Sequence, residues 1–257
     1  MDFVVIIPAR HGSSRFPGKP LADLGGKPMV VQVAERALKS GAREVLVATD
    51  HRAIADAVRD HGHTAVMTRR SHASGTDRLA EVVTARRFPA SRIVVNVQGD
   101  EPLIEPALIR RVAERLAAQR AAQIATACTP IRSSADFVNP NIVKVVLDRS
   151  GYALYFSRAA IPHPRDAVAR SAGIPEVLPR GLPAYRHLGI YAYRCAFLQR
   201  FAKLRPAVIE RIEALEQLRA LAHGFRISVH ITTRAPHPGI DTPEDLERAR
   251  GLLNQPR

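Results

Sequence analysis

The sequence FVVIIPARHGSSRFPGKPL, residues 3–21, decides the fold of the N-terminal half. Its first five residues are apolar and predict a buried strand. The strand leads directly into a loop rich in glycine, serine and arginine, which is a common way to present N–H groups and cations to a polyphosphate. The loop is not a Walker A motif, because five residues separate Gly12 from Gly18 and Lys19 is followed by Pro20. A phosphate-binding loop of another class, or an ordinary loop with solvated cations, is therefore expected.

Strands and helices alternate along the rest of the first half. After the opening strand, strands are predicted at residues 44–48, 65–67, 93–97 and 124–130, and helices at residues 29–40, 54–61, 75–86 and 106–118. This alternation predicts an α/β fold with a mostly parallel (mixed) central sheet and helices on both faces. In such sheets ligands bind outside the carboxyl ends of the strands.

The second half has a different character. Two apolar segments flank a turn and predict a β-hairpin at residues 143–156, whereas residues 161–183 are rich in proline, arginine and glycine and predict an irregular excursion. A strand at 186–193, a long helix at 207–223, a strand at 226–232 and a closing helix at 243–253 follow. The 257 residues show no internal repeat, and we predict a single domain, 1–257.

The composition argues against several other classes of protein. The net charge of +14 raises a nucleic-acid hypothesis, but only five of the 38 basic residues are lysine, they form no polybasic block, and tryptophan is absent. No apolar run approaches the ~20 residues of a membrane-spanning helix, and the N-terminus does not resemble a signal peptide. Cys128 and Cys195 are expected to be buried thiols in a reducing cytosol. We therefore expect a cytoplasmic protein with no nucleic-acid or membrane partner.

Two aspartates are candidates for binding a metal ion. Asp100 follows a predicted buried strand, where a carboxylate could hold a hard divalent cation against phosphate oxygens, although Gly-Asp is also common turn chemistry. Asp241 precedes a predicted N-cap, Thr242, and has no helix role of its own. The sequence spacing does not show that these two residues converge.

Three further polar patterns are each compatible with a functional and with a purely structural interpretation. Residues 74–78 (SGTDR) open a helix, which suits either a polar ligand edge or simple capping. His187 and Tyr191 share one face of a predicted strand, which suits a hydroxyl-rich ligand or a half-exposed surface. Glu216 and Gln217 flank the apolar stripe of the long predicted helix, so a surface position is equally compatible with the pattern.

These motifs resemble the signature of the 3-deoxy-manno-octulosonate (Kdo) cytidylyltransferase family, also called CMP-Kdo synthetases. The matches occur in family order over residues 3–252, in the segments PARHGSSRFPGKPL (8–21), SGTDR (74–78), VNVQGDEP (95–102), YFSR (155–158), RHLGIY (186–191), LEQLR (215–219) and IDTPEDL (240–246). The sequence departs from the family pattern at Phe16, at His237-Pro238 and in the excursion after Ile161.

The resemblance implies a nucleotide-diphospho-sugar transferase-like fold and the transfer of CMP from CTP to Kdo, with Mg²⁺ as cofactor, for lipopolysaccharide biosynthesis. It implies CTP binding by Pro8, Ala9, Arg10, Arg15, Lys19, Ser74, Gly75, Thr76 and Arg78. It implies Kdo binding by Gln98, Arg158, His187, Tyr191, Glu216 and Gln217. By the same resemblance Asp100 and Asp241 hold the magnesium and act in catalysis with Arg10 and Lys19. A homodimer is also implied, with residues 152–194 as dimerisation hairpin and excursion.

Two other functions are compatible with the sequence. The chain could activate a related ulosonate, such as an amino-Kdo or a sialic acid. It could also be a catalytically silent nucleotide- or RNA-binding protein on the same scaffold, although the intact Lys19, Asp100 and Asp241 argue against silence.

Overall fold

The computed structural model describes residues 1–12, 16–72, 74–171 and 173–253. They form two compact units. The first unit contains Met1–Glu114, Ile190–Lys203 and the chain from Pro236 onwards, and the second contains Arg115–Gly189 and Leu204–Ala235. None of the described helices is long and apolar enough to span a membrane. The assignment of all 257 residues to one functional domain stays a prediction.

The described residues form nine strands and ten α-helices. The strands are β1 (Phe3–Ala9), β2 (Glu44–Thr49), β3 (Thr64–Met67), β4 (Ile93–Asn96), β5 (Ile124–Pro130), β6 (Lys144–Leu147), β7 (Ala153–Ser157), β8 (Tyr185–Arg194) and β9 (Ile227–Ile231). The α-helices are α1 (Met29–Leu38), α2 (Arg52–Asp60), α3 (Gly75–Ala85), α4 (Pro106–Ala118), α5 (Ser134–Val138), α6 (Arg165–Ser171), α7 (Cys195–Phe201), α8 (Val208–Glu213), α9 (Gln217–Ala222) and α10 (Pro243–Leu253). A short 3₁₀ helix spans Lys19–Leu21.

In the first unit the strand order is β3-β2-β1-β4, followed by the last residues of β8. β1 pairs in parallel with β2 and β4, β2 pairs in parallel with β3, and β8 runs antiparallel to β4. Nearly every residue of β1, β2 and β4 is buried, as expected for parallel strands covered by helices. The carboxyl ends of β1 to β4 therefore share one edge, which is where the polar motifs of the first half emerge.

In the second unit β5 pairs in parallel with β9, and β6 pairs antiparallel with β7 and with the beginning of β8. The predicted hairpin is therefore observed. The prediction of an α/β fold around a mixed, mostly parallel sheet is confirmed.

The excursion has more structure than its composition indicated. It contains α6, and Ile174, Leu178 and Leu182 pack against a small apolar cluster that includes Phe137 and Ala184. The expectation of a purely irregular segment was wrong, because a few well-spaced apolar residues between the prolines are enough to cover the short helix α5.

The prediction of one long helix at 207–223 was also wrong, because the chain turns at Ala214 and forms the two helices α8 and α9 instead. Ala214 adopts φ 51° and ψ 48°, a left-handed conformation. Glu210 and Arg219 form a bidentate ion pair, with Nη2 2.6 Å from Oε1 and Nε 3.0 Å from Oε2. On one continuous helix these residues would be displaced by about 14 Å along the axis. The turn at Ala214 therefore allows a nearly buried charge pair to form.

We expect Ala214→Gly to raise the free energy of unfolding by ~0.5 kcal/mol. Ala214 is exposed, and glycine relieves the steric cost of a left-handed residue while adding some unfolded-state entropy. The matched control is Ala57→Gly inside α2, which should lower the free energy of unfolding by ~1 kcal/mol. Urea unfolding of the three proteins measures both changes. Equal destabilisation by the two glycines would contradict the proposed strain at residue 214.

Candidate active site

A cavity of about 310 Å³ opens beside the ends of β1 and β4 in the first unit. It is lined by Pro8, Ala9, Arg10, Gly12, Lys19, Pro20, Gln98, Gly99, Asp100 and Asp241. A larger cavity of about 680 Å³ lies along α3 and α7, but none of the predicted site residues lines it. The smaller cavity is therefore the candidate active site, because it collects residues from three of the predicted motifs.

The ammonium group of Lys19 lies between the two candidate metal ligands. Its Nζ is 2.7 Å from Oδ2 of Asp100 and 3.2 Å from Oδ1 of Asp241. The same Nζ donates to the carbonyl oxygen of Ile240 at 2.8 Å. Asp100 and Asp241, called the acid pair below, are thus brought together around one cation.

The backbone fixes the position of Asp241 relative to Asp100. The N–H of Ile240 donates to the carbonyl oxygen of Asp100 at 2.8 Å. The Ile240 side chain is buried in an apolar cluster with Leu24, Met29 and residues of α10. Since this bond joins the backbone of Asp100 to the residue before Asp241, the convergence of the two carboxylates does not depend on flexible side chains alone.

Asp245 is a positioning residue that the sequence pattern could have revealed. Its Oδ2 accepts hydrogen bonds from the N–H groups of Asp241 and Thr242, both at 2.9 Å, while its own N–H donates to Oγ1 of Thr242 at 3.3 Å. The bond from the Asp241 N–H lowers the pKa of Asp245. This reciprocal pattern of Thr242 and Asp245 is a capping box at the start of α10. It also clamps the backbone of Asp241.

Gly99 is required because the segment after β4 passes close to the end of β1. A β-carbon at residue 99 would lie 2.9 Å from the carbonyl oxygen of Pro8, which is backbone and cannot move aside. The segment that carries Asp100 can therefore pass close to the end of β1 only because residue 99 lacks a side chain. Burial, reinforced by the Asp100 carboxylate, raises the pKa of the adjacent Glu101 to about 7.

The donor set around Lys19 Nζ fits a hard divalent cation such as Mg²⁺. Two carboxylates and the Ile240 carbonyl direct oxygen atoms at one positive charge, and oxygen is the ligand that Mg²⁺ prefers. Within the described residues no group of three or more histidine, cysteine, aspartate or glutamate side chains could hold a metal. Phosphate oxygens and water would therefore complete the coordination, as is usual for Mg²⁺.

The predicted nucleotide segment at residues 74–78 lies at the start of α3. Ser74 caps the helix by accepting a hydrogen bond from the N–H of Asp77 at 3.1 Å, and the Thr76 side chain is buried. Arg78 is fully buried, and its guanidinium donates to Asp50 at 2.7 Å and to the hydroxyl of Thr68. Arg78 thus holds this helix start against the ends of β2 and β3. Arg10 is exposed at the cavity, and Arg15 lies outside the described residues.

Tyr191 belongs to the first unit, where it aligns with Asn96 of β4, and its ring stacks on Tyr193. The predicted Kdo contacts Arg158, His187, Glu216 and Gln217 belong to the second unit. Arg158 donates from Nε to the carbonyl of Glu213 at 2.8 Å and from Nη1 to that of Pro140 at 3.0 Å. Glu216 and Gln217 lie at the start of α9, not in the middle of a long helix.

His187 is half-buried in the second unit. Its Nε2 is 3.0 Å from Oγ1 of Thr126, and its ring packs edge-on against Phe156. Burial lowers the pKa of His187 to about 3. The imidazole is therefore neutral at physiological pH and can contribute hydrogen bonds but no charge.

We expect His187 to make the fold sensitive to acid. Between pH 6.5 and about 3 the unfolded chain binds a proton at His187 that the folded protein excludes, so stability is lost as the pH falls through this window. The loss attributable to His187 at pH 5 should be about 2 kcal/mol, at roughly 1.4 kcal/mol per pH unit. Urea unfolding at pH 7.5 and 5.0 should show a smaller acid loss for His187→Gln than for the unchanged protein. Identical losses would show that residue 187 is not the group responsible.

The chain is similar to a known protein family and to solved structures. A family model described as cytidylyltransferase matches residues 4–227. A solved CMP:2-keto-3-deoxy-manno-octonic acid synthetase, complexed with CTP, is 43% identical over 98% of both chains, with a TM-score of 0.88.

Two more distant structures share the fold. A cytidylyltransferase from Leptospira borgpetersenii is 18% identical, covering 98% of this chain and 86% of that one, with a TM-score of 0.61. A 4-diphosphocytidyl-2C-methyl-D-erythritol synthase from Anaerococcus prevotii is 12% identical over 99% of both chains, also with a TM-score of 0.61. The family match over most of the sequence and the 43% identical relative show that this chain belongs to the cytidylyltransferase family.

Proposed function

We propose that the chain transfers CMP from CTP to the anomeric hydroxyl of Kdo, releasing pyrophosphate and giving CMP-Kdo for lipopolysaccharide biosynthesis in the cytoplasm. The observation that carries the proposal is the acid pair around Lys19 at the cavity beside β1 and β4. The 43% identical synthetase complexed with CTP supports the choice of nucleotide and sugar acid.

The cations of the first motif bind the triphosphate. Arg10 and Lys19 line the cavity, and with Arg15 they offset the negative charge that grows on the departing pyrophosphate. Lys19 is held by the acid pair, and it can exchange those carboxylates for phosphate oxygens when Mg²⁺ and the nucleotide enter. The two carboxylates, whose side chains are 33% and 45% exposed, would then be compensated by the metal ion.

Magnesium bound by the acid pair would supply a Lewis acid that lowers the pKa of the sugar hydroxyl and stabilises charge on the α-phosphate. The protein residues then provide orientation, so that the hydroxyl oxygen faces the α-phosphorus in line with the leaving pyrophosphate. No separate protein base is required in this scheme.

The remaining motifs select the two substrates. Ser74, Gly75 and Thr76 present polar groups for the cytosine and ribose, and Arg78 acts through them because its guanidinium is bound to Asp50 and Thr68. Arg158 pairs with the Kdo carboxylate, while Gln98, His187, Tyr191, Glu216 and Gln217 bind hydroxyl groups. The neutral imidazole of His187 suits an uncharged hydroxyl.

A pyrophosphate-release assay tests the proposal. Release with CTP and Kdo in the presence of Mg²⁺, and little release with ATP, GTP or UTP, is the expected result. Faster turnover of an amino-Kdo or a sialic acid would reassign the sugar, and CTP binding without turnover would indicate a silent binding protein.

Asp100→Asn and Asp241→Asn should each lower kcat by about a thousandfold or more, since each removes a charged metal ligand worth several kcal/mol of transition-state stabilisation. Asp60→Asn, an exposed position at the end of α2, is the matched control and should keep full activity. Pyrophosphate release measures activity, and thermal melting verifies folding. Near-normal turnover by either site variant would remove that residue from the metal site.

Arg158→Ala should raise the KM for Kdo by at least tenfold and leave the KM for CTP within about twofold. Loss of a partner for a desolvated carboxylate typically costs ~2–5 kcal/mol. Arg149→Ala, in the exposed turn before β7, controls for the loss of one positive charge. Because Arg158 also bonds two carbonyl groups, thermal melting must accompany the kinetics. Equal increases in both KM values would refute a specific role in Kdo binding.

We further propose a homodimer in which residues 152–194 contribute to the interface. Leu154 and Val177 of this segment are 62% and 83% exposed, and a dimer interface on this segment would cover both apolar side chains. The excursion also has apolar packing within its own chain, since Ile174, Leu178 and Leu182 pack on the Phe137 cluster.

Light scattering at micromolar concentration in moderate salt should give twice the chain mass of 28.2 kDa. Leu154→Glu should shift the particle toward the single-chain mass, because burying an unpaired carboxylate in an interface is unfavourable. A 28.2 kDa particle for the unchanged protein would contradict the dimer.

A further inference from the structure

Two histidine rings in the first unit stack on each other outside the acid pair. The ring centroids of His11 and His51 are 3.9 Å apart and their planes differ by 16°. His11 belongs to the loop after β1, and His51 follows β2 and precedes α2. Neither side chain has a part in the chemistry proposed above.

On one side the stack is connected to the loop that carries Lys19. The carbonyl oxygen of His11 accepts a hydrogen bond from the N–H of Gly18 at 3.3 Å. Gly18 has φ 71°, a left-handed conformation that glycine adopts without strain, and Lys19 begins the 3₁₀ helix immediately afterwards. The location of His11 therefore helps to determine where the Lys19 side chain starts.

On the other side the stack is connected to the start of α3. The N–H of His51 donates to Oγ1 of Thr49 at 3.2 Å, and the carbonyl of Thr49 accepts from both the N–H and the hydroxyl of Thr68 at 2.9 and 3.1 Å. The Thr68 hydroxyl in turn accepts from Arg78, whose Nη2 also donates to Asp50. We call residues 49–51 the coupling segment. This segment is thus hydrogen-bonded, directly and through Thr68, to the buried guanidinium of Arg78, one turn into α3.

We propose that His11 and His51 are positioning residues. Through the stack of their rings and the coupling segment, they connect the loop that carries Lys19 and binds the triphosphate to the start of α3, which binds the nucleoside. The inference rests on the proposed function, since it concerns the binding of CTP. Nδ1 of His51 is buried without a hydrogen-bond partner among the described residues. The ring is therefore held through its face, so another flat aromatic ring should serve in its place.

The test is a double-mutant cycle with a ring-preserving variant. His11→Ala and His51→Ala should each raise the KM for CTP about three- to tenfold, the range expected for loss of one aromatic pair. The double variant should be no worse than either single variant, because both remove the same contact. His51→Phe should restore a KM close to that of the unchanged protein.

Three readouts separate positioning from a general structural role. The KM for Kdo, kcat at saturating CTP and the melting temperature should each change little in the alanine variants. His61→Ala, an exposed histidine after α2, is the matched control and should leave the KM for CTP unchanged. The dissociation constant of Mg²⁺-CTP is measured in parallel by calorimetry.

Three results would overturn the coupling. The first is a double variant whose increase in the KM for CTP is the product of the two single increases. The second is a His51→Phe variant as impaired as His51→Ala. The third is an equal increase in the KM values of CTP and Kdo in the alanine variants. If the unchanged protein binds CTP but releases no pyrophosphate, the proposed function fails while the calorimetric constants still decide the cycle. If it does not bind CTP, both proposals fail.

Discussion

The first unit depends on one electrostatic constraint, which is that two carboxylates directed at the same point require a cation between them. Asp100 and Asp241 are 141 residues apart in the sequence, and Lys19 Nζ is within 3.2 Å of both. Without a positive charge between them, the two partly exposed carboxylates would repel each other. The lysine therefore stabilises the assembled site and marks the position at which a metal ion has favourable surroundings.

The accuracy of this arrangement comes from the backbone more than from the side chains. The Ile240–Asp100 hydrogen bond joins the two acidic segments, and Gly99 permits the close passage beside Pro8. Asp245 clamps the N–H groups of Asp241 and Thr242 while capping α10. Main-chain groups have few alternative positions, so a site built on them is largely pre-organised for a ligand.

The sequence predicted the first unit well because its information is local. Short apolar runs, helix caps and loop motifs follow each other in chain order. In this unit α10 has the bounds that the pattern indicated, and α3 and β4 differ from the predicted bounds by one residue. The prediction at residues 207–223 was wrong because a tertiary ion pair, Glu210–Arg219, overrides helix continuity. The convergence of the acid pair likewise could not come from spacing, since it depends on long-range packing of Ile240. The stacking of His11 on His51 joins two loops and has no local signature at all.

The first unit is built from three separate stretches of the chain, which affects the order in which its parts form during translation. Its last segment, which begins at Pro236, is synthesised after the entire second unit. Since a chain emerges from the ribosome N-terminus first, β1 to β4 can pair while Asp241 is not yet available. During that interval Asp100 and Lys19 are present without their third partner. A nascent chain can therefore pair β1 to β4 and place Asp100 early, but its acid pair forms only when the C-terminal segment has been synthesised.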